Sequence, residues 1–158
     1  MVDDSFDPAG AGVVAFPVAV PAGTSLARFS LFDADVTPGS DLDLYVFNSA
    51  GMLVALSGTG TSQEQVTLVN PAADTYTVYV HGFNVAGTTN FKLHSWVLGT
   101  AAAGNMTVSA PATATLGATG AINLTFTGLT PATKYLGSVA YGGSASMPAP
   151  TVVSVNTP

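Results

Sequence analysis

The chain has 158 residues, and only 8% of them are charged, against about 25% in typical soluble domains. Its formal net charge is −6, with Arg28, Lys92 and Lys134 as the only strong cations, so a basic surface for nucleic acid or anionic membranes is excluded. The absence of cysteine excludes disulfides, zinc–thiolate sites and cysteine nucleophiles. The longest apolar run, residues 13–20, is too short to span a bilayer and is interrupted by Pro17, so we expect no membrane insertion.

Helical periodicity is absent, and short strand-like segments recur along the whole chain. In chain order we predict strands at 13–20, 26–36, 42–48, 52–57, 64–69, 75–81, 90–98, 106–109, 121–127, 134–141 and 151–155. Stretches that contain Gly, Pro, Asn or Asp separate them and supply the backbone conformations that turns require. This spacing predicts an all-β sandwich or barrel.

The composition changes near the middle of the chain. The stretch LGTAAAGN, residues 98–105, consists of small residues and indicates a linker or a tight crossover. We therefore predict two units, residues 1–99 and residues 100–158. The second is short for an independent sandwich, so we expect it to pack on the first.

Several motifs occur in order within SDLDLYVFNSAGMLVALSGTGTSQEQVTLVNPAADTYTVYVHGF, residues 40–83. They are an Asp-x-Asp-Leu-Tyr-Val strand, a glycine-containing hairpin, a serine-rich loop and a Thr-Tyr-x-Val-x-Val-x-Gly strand. With the preceding VPAGTSLARFSLF, they resemble the bacterial pre-peptidase C-terminal domain over residues 13–98. The resemblance implies an antiparallel, jelly-roll-like β-sandwich appended to a secreted peptidase, notably a subtilisin-like serine protease. Asp74 stands where that family often has glycine.

The C-terminal part has a motif of its own. The stretch GLTPATKYLGSVAY, residues 128–141, resembles the fibronectin type III pattern. The resemblance implies that Tyr135 is a corner tyrosine whose hydroxyl bonds to nearby backbone. We therefore predict an all-β protein in which the sandwich is followed by a small Ig-like or fibronectin type III-like β unit.

The sequence lacks the residue arrangements that hydrolytic enzymes use for catalysis. A Ser–His–Asp arrangement requires a histidine at a cleft, but His81 and His94 lie in predicted strands, and neither Gly-x-Ser-x-Gly nor HExxH is present. Asp41 and Asp43 share one strand face and cannot flank a groove, and Glu64 is expected at an exposed strand start. We predict a non-catalytic chain with no catalytic residue.

Four carboxylates lie on two consecutive strands and their connecting loop: Asp33, Asp35, Asp41 and Asp43. The first interpretation concerns the pair Asp41 and Asp43: one of them bonds to backbone amides of the adjacent loop and fixes the turn, while the other is solvated. The second is a calcium site, because calcium takes six to eight oxygen ligands and the loop carbonyls could complete the shell. No other cofactor is predicted.

Strand parity also divides the apolar residues between two faces. We predict eight inward-facing residues: Leu42, Leu44, Val46, Tyr76, Val78, Val80, Phe91 and Leu93. Six rings then fall on the opposite faces: Tyr45, Phe47, Tyr79, His81, His94 and Trp96. If their strands are neighbours, these rings form a surface for a protein or polysaccharide substrate. The alternative, which we favour, is that residues 100–158 or a peptidase domain cover it.

The resemblance to the pre-peptidase C-terminal domain implies a non-catalytic accessory region at the C-terminal end of a secreted, subtilisin-like peptidase. It would bind or position the substrate or a surface, or assist folding and export. The expected partner is an upstream peptidase domain of the same chain, and we expect any export signal to lie upstream as well. The alternatives are a structural or adhesive cell-surface module and a carbohydrate-binding module unconnected with proteolysis.

Overall fold

A computed structural model describes residues 6–143 and 149–158. Within these residues it contains eleven strands and one short 3-10 turn, Asp33–Asp35. The strands are β1 Val13–Val20, β2 Leu26–Ser30, β3 Asp41–Phe47, β4 Leu53–Ser57, β5 Gln65–Val69, β6 Asp74–Asn84, β7 His94–Leu98, β8 Met106–Ser109, β9 Asn123–Phe126, β10 Lys134–Val139 and β11 Thr151–Asn156. The predicted all-β class is confirmed. In the described part of the chain, no helix has the length and apolar character needed to cross a membrane.

The chain divides into two compact units, the first ending at Thr100 and the second beginning at Ala101. Unit 1 holds two antiparallel sheets. The first sheet has the strand order β1-β6-β3-β4, and the second has the order β5-β2-β7. Because one buried cluster draws residues from both sheets, they form a β-sandwich with a shared core.

The core of unit 1 follows strand alternation. Six of the predicted inward residues belong to the buried cluster, namely Leu42, Leu44, Val46, Tyr76, Val78 and Val80. The other two, Phe91 and Leu93, are partly buried against it. The second sheet contributes Ala27, Phe29 and Val66. Full burial of side chains of this size stabilises the fold by about 1.5–3 kcal/mol each.

The predicted strand over residues 26–36 is wrong in its second half. Strand β2 ends at Ser30, and the chain then makes the 3-10 turn, in which Asp35 N donates to Phe32 O at 2.8 Å. Aspartates favour turns over regular strands, because their side chains compete for backbone hydrogen bonds. The turn redirects the chain into the loop before β3.

In its described residues, unit 2 contains two separate two-stranded sheets, β8-β9 and β10-β11. Thr130 N donates to the Tyr135 hydroxyl oxygen at 2.8 Å, so the predicted corner hydrogen bond is confirmed. This hydrogen bond lowers the pKa of Tyr135, because it favours the phenolate. Whether unit 2 is a fibronectin type III-like module stays a prediction.

Candidate binding surface and acidic pocket

The six rings predicted as one surface lie on two different sheets. Tyr45 and Tyr79 are direct partners across β3 and β6 in the first sheet, and Phe47 and His81 lie on the same two strands. His94 and Trp96 lie on β7, which pairs with β2 in the second sheet. Strand parity gives the face of a residue but not the sheet to which its strand belongs, so sequence alone could not separate the two groups.

The first group surrounds a fifth ring, that of Phe6. We call the four rings Tyr45, Phe47, Tyr79 and His81 the aromatic cradle. Phe6 stacks on Tyr45 with ring centroids 3.9 Å apart and planes inclined by 14°, and it stacks on Phe47 at 5.9 Å. It meets Tyr79 and His81 edge to face at 5.7 Å. Tyr45 is consequently only 2% exposed.

Phe6 reaches the cradle through a tight turn. In the N-terminal arm, residues 6–12, Gly10 N donates to Asp7 O at 2.8 Å, and Ala9 N donates to the Asp7 carboxylate at 2.9 Å. Gly82 N then donates to Gly12 O at 2.9 Å, which joins the end of the arm to β6. Phe6 was not among the predicted site residues, because the arm has no strand periodicity. The available signal was a lone aromatic residue just before a turn-forming Asp-Pro-Ala-Gly stretch.

The second group is organised around an ion pair. His94 Nε2 lies 2.8 Å from an Asp35 carboxylate oxygen. The His94 ring stacks on Trp96 at 5.7 Å and meets Phe32 edge to face at 5.2 Å. Asp35 therefore joins the 3-10 turn to β7 and is engaged away from the other predicted metal ligands.

The four carboxylates predicted as calcium ligands do not lie together in one site. Asp33 and Asp41 line one pocket of about 410 Å³, which we call the acidic pocket. Asp43 is buried, pairs in register with His81 and lies beside Gly58, where an added Cβ would be 3.1 Å from its carboxylate. Across residues 6–143 and 149–158, no three His, Cys, Asp or Glu side chains gather closely enough to hold a metal ion. Calcium stays a prediction.

The surroundings of Asp41 at the acidic pocket disfavour its charged form. Its pKa is raised above the ordinary value, first by burial and then by the negative charges of Glu64 and Asp33. One of its oxygens, Oδ1, is buried and has no hydrogen-bond partner among the described residues. Asp41 Oδ1 therefore accepts no hydrogen bond from the adjacent loop within the described residues. A loop-fixing role for the other carboxylate of this strand, Asp43, stays a prediction.

Glu64 also fixes a loop, and its predicted exposure is wrong. Glu64 is 0% exposed. It accepts hydrogen bonds from the backbone N of Thr59 at 2.7 Å, from the Thr59 hydroxyl at 2.6 Å and from the Ser57 hydroxyl. Two residues earlier, the buried Ser62 hydroxyl accepts from Leu42 N at 3.1 Å. The loop 57–64 is thus held from inside.

Residues 12–82 match the family model of the bacterial pre-peptidase C-terminal domain. The predicted resemblance to this domain is confirmed over these residues. Over 68 residues the chain is 41% identical to pyrolysin of Pyrococcus furiosus. That alignment covers 43% of this chain and 5% of pyrolysin.

The match to the pre-peptidase C-terminal domain includes both sites in part. It contains β3, residues 74–82 of β6 and the four cradle residues, and it contains Asp33, Asp41 and Glu64. It ends before β7, and it begins after Phe6. The ring that fills the cradle therefore comes from outside the matched segment.

Replacing Asp41 with asparagine should stabilise the domain at neutral pH by about 0.5–1 kcal/mol, in the range of surface-charge optimisation. A folded pKa above the unfolded value means that the protonated form is favoured by folding. The contribution of the Asp41 carboxyl group to the free energy of unfolding is complete below the unfolded pKa and is lost as pH rises through the folded pKa. Thermal unfolding in the presence of EDTA at pH 7 and at pH 3 measures the difference, which should shrink at the lower pH.

Asp74 provides the matched control. Hydrogen bonds from Ser49 and Thr75 lower its pKa, so its contribution is present above the unfolded pKa and is lost as pH falls through the folded pKa. Asp74→Asn should therefore change stability in the opposite direction at pH 7. Equal signs for the two variants would contradict the assignment.

Proposed function

We propose that this chain is a non-catalytic accessory region of a secreted, subtilisin-like peptidase, and that it binds and positions a protein substrate. The observation that carries the proposal is the pre-peptidase C-terminal domain at residues 12–82. An upstream peptidase domain of the same chain is the proposed partner. Assistance in folding and export is the second role that such a region could have.

The surroundings of the two histidines support a non-catalytic role. His81 is 5% exposed beneath Phe6, and His94 is engaged by Asp35. Ser30 lies opposite His94 across β2 and β7, so a serine, a histidine and an aspartate are near one another. Ser30 is only 1% exposed, however. A nucleophile must reach its substrate, and this one is covered.

The test uses the purified chain and immobilised ligands. We expect no hydrolysis of casein, and we expect retention of the chain on denatured protein but not on cellulose or chitin. Retention on a polysaccharide alone would favour the carbohydrate-binding alternative, and retention on neither would favour a structural module. Casein hydrolysis that is abolished by His94→Ala would contradict the non-catalytic role.

Calcium is a second proposal, narrowed to the acidic pocket. Asp33 and Asp41 supply carboxylates there, and Asn84 and Thr61 line the same pocket with neutral oxygens. These are the oxygen donors that calcium prefers, and the buried Oδ1 of Asp41 is the observation that favours a cation. Asp35 and Asp43 are not part of this reduced set.

Calcium should raise the melting temperature of the wild-type chain and should not raise that of Asp41→Asn. Binding to the folded state alone adds RT ln(1 + [L]/Kd), about 2.7 kcal/mol at a hundredfold excess over Kd. Asp74→Asn is the control and should keep the calcium shift. No shift in the wild-type chain relative to EDTA would leave the pocket without a calcium role.

A further inference from the structure

We propose that the aromatic cradle is a binding site for an aromatic side chain of an extended polypeptide, and that Phe6 occupies this site in the isolated chain. The inference rests on the proposed function, because it names where a protein substrate would bind. Phe6 then acts as a competitor supplied by the chain itself. A ligand must displace the N-terminal arm before it can bind.

The geometry of the cradle suits a planar ring. Tyr45 offers a face at 3.9 Å, while Tyr79 and His81 meet the bound ring edge to face. Offset stacking and edge-to-face contacts are the two arrangements that aromatic rings prefer. The cradle combines them around one position, so the group it recognises is an aromatic ring and not an aliphatic chain.

Few hydrogen bonds attach the N-terminal arm to the first sheet, so the arm can be displaced. Within the described residues, the first backbone hydrogen bond from the arm to the first sheet is Gly82 N to Gly12 O. The bonds at Asp7, Ala9 and Gly10 are internal to the arm, and residues 7–9 are exposed. Phe6 therefore stays in the cradle through ring contacts, which a ring from another polypeptide can reproduce.

Phe6 also leaves the cradle incompletely satisfied. His81 is only 5% exposed, and its Nδ1 atom has no hydrogen-bond partner in the described part of the chain. Buried polar atoms are normally paired. The hydrocarbon ring of Phe6 cannot pair with this atom, so the occupied cradle retains an unpaired polar group.

The experiment compares peptide binding to four versions of the full 158-residue chain. The probe is the acetylated and amidated hexapeptide SFDPAG, residues 5–10 of this chain, and its control is SADPAG. The proteins are the wild type, Phe6→Ala, Phe6→Ala/Tyr79→Ala and Phe83→Ala. Phe83 is a matched control because it is a phenylalanine of β6 that is 52% exposed and outside the cradle. Binding is followed by titration of the amide resonances of β3 and β6.

We expect Phe6→Ala to bind SFDPAG saturably, with a Kd at least about tenfold lower than the apparent Kd of the wild type. A tethered competitor on a short segment acts at an effective concentration of about a millimolar or more. Phe83→Ala should behave like the wild type, and Tyr79→Ala in the Phe6→Ala background should remove binding. Phe6→Leu is a second variant in case Phe6→Ala does not fold.

Equal affinity of the wild type and both Phe6 variants would overturn the proposal, as would equal binding of SADPAG. A concentration-dependent dimer that requires Phe6 would also overturn it, because Phe6 would then enter the cradle of a second copy. Failure of this proposal can be distinguished from failure of the proposed function. If Phe6→Ala/Tyr79→Ala is retained on denatured protein like the wild type, substrate binding stands and the cradle is not its site.

Discussion

Glu64→Ala should lower the free energy of unfolding by about 3 kcal/mol or more, because a buried carboxylate is lost and its donors remain. Hydrogen bonds to charged groups contribute about 1.5–3 kcal/mol each, and a buried donor left without a partner costs about 1–3 kcal/mol. Glu64 accepts from Ser57 and twice from Thr59 and is fully buried. Urea unfolding of the variant and the wild type measures the loss.

Two further variants sharpen this prediction. Gln63→Ala changes the exposed neighbour of Glu64 and should stay within about 0.5 kcal/mol of the wild type. Glu64→Gln keeps the shape but replaces one acceptor oxygen with an NH₂ donor, so it should fall between the other two. A Glu64→Ala chain as stable as Gln63→Ala would show that the loop does not depend on this carboxylate.

Tyr45→Ala should cost about 3 kcal/mol of unfolding free energy, since large aromatic-to-alanine changes at buried sites cost about 3–5 kcal/mol. Tyr45 is 2% exposed, and Phe6 covers it. A double-mutant cycle with Phe6→Ala should give a coupling of about 0.5–1.5 kcal/mol, the range for aromatic pairs. Thermal or urea unfolding of the four chains supplies the cycle.

The control cycle pairs Phe6→Ala with Phe83→Ala, which should be additive because the two rings share no contact in the described structure. An absence of coupling between Phe6 and Tyr45 would mean that the arm does not rest on the cradle in solution. That result would also remove the basis for the inferred ring competitor.

Much of unit 1 could be predicted from sequence, because burial on one face of a strand produces a period of two. The alternation of Leu42, Leu44 and Val46 gave the core face of β3 correctly. The same rule could have placed Glu64, which shares its parity with the buried Val66. A charged residue beside turn residues was instead assigned to the surface, where most glutamates lie.

The candidate site was less accessible to sequence reasoning. Its parts depend on pairings between distant segments, such as Phe6 with Tyr45 and Asp35 with His94. Local periodicity carries no information about such pairings. It also does not reveal how much space surrounds a carboxylate, which is why Asp33 and Asp41 could not be separated from their neighbours as pocket residues.

The strand order has a consequence for solubility. Among residues 6–100, unit 1 has four edge strands: β1 and β4 in the first sheet, and β5 and β7 in the second. Exposed edges invite pairing with other chains, and many proteins repel such pairing with lysines. This chain has three strong cations in all. Pro17 gives β1 uncharged protection, because it removes an N–H from that edge strand. With so few cations in the chain, repulsion by lysine is not the main protection of these edges.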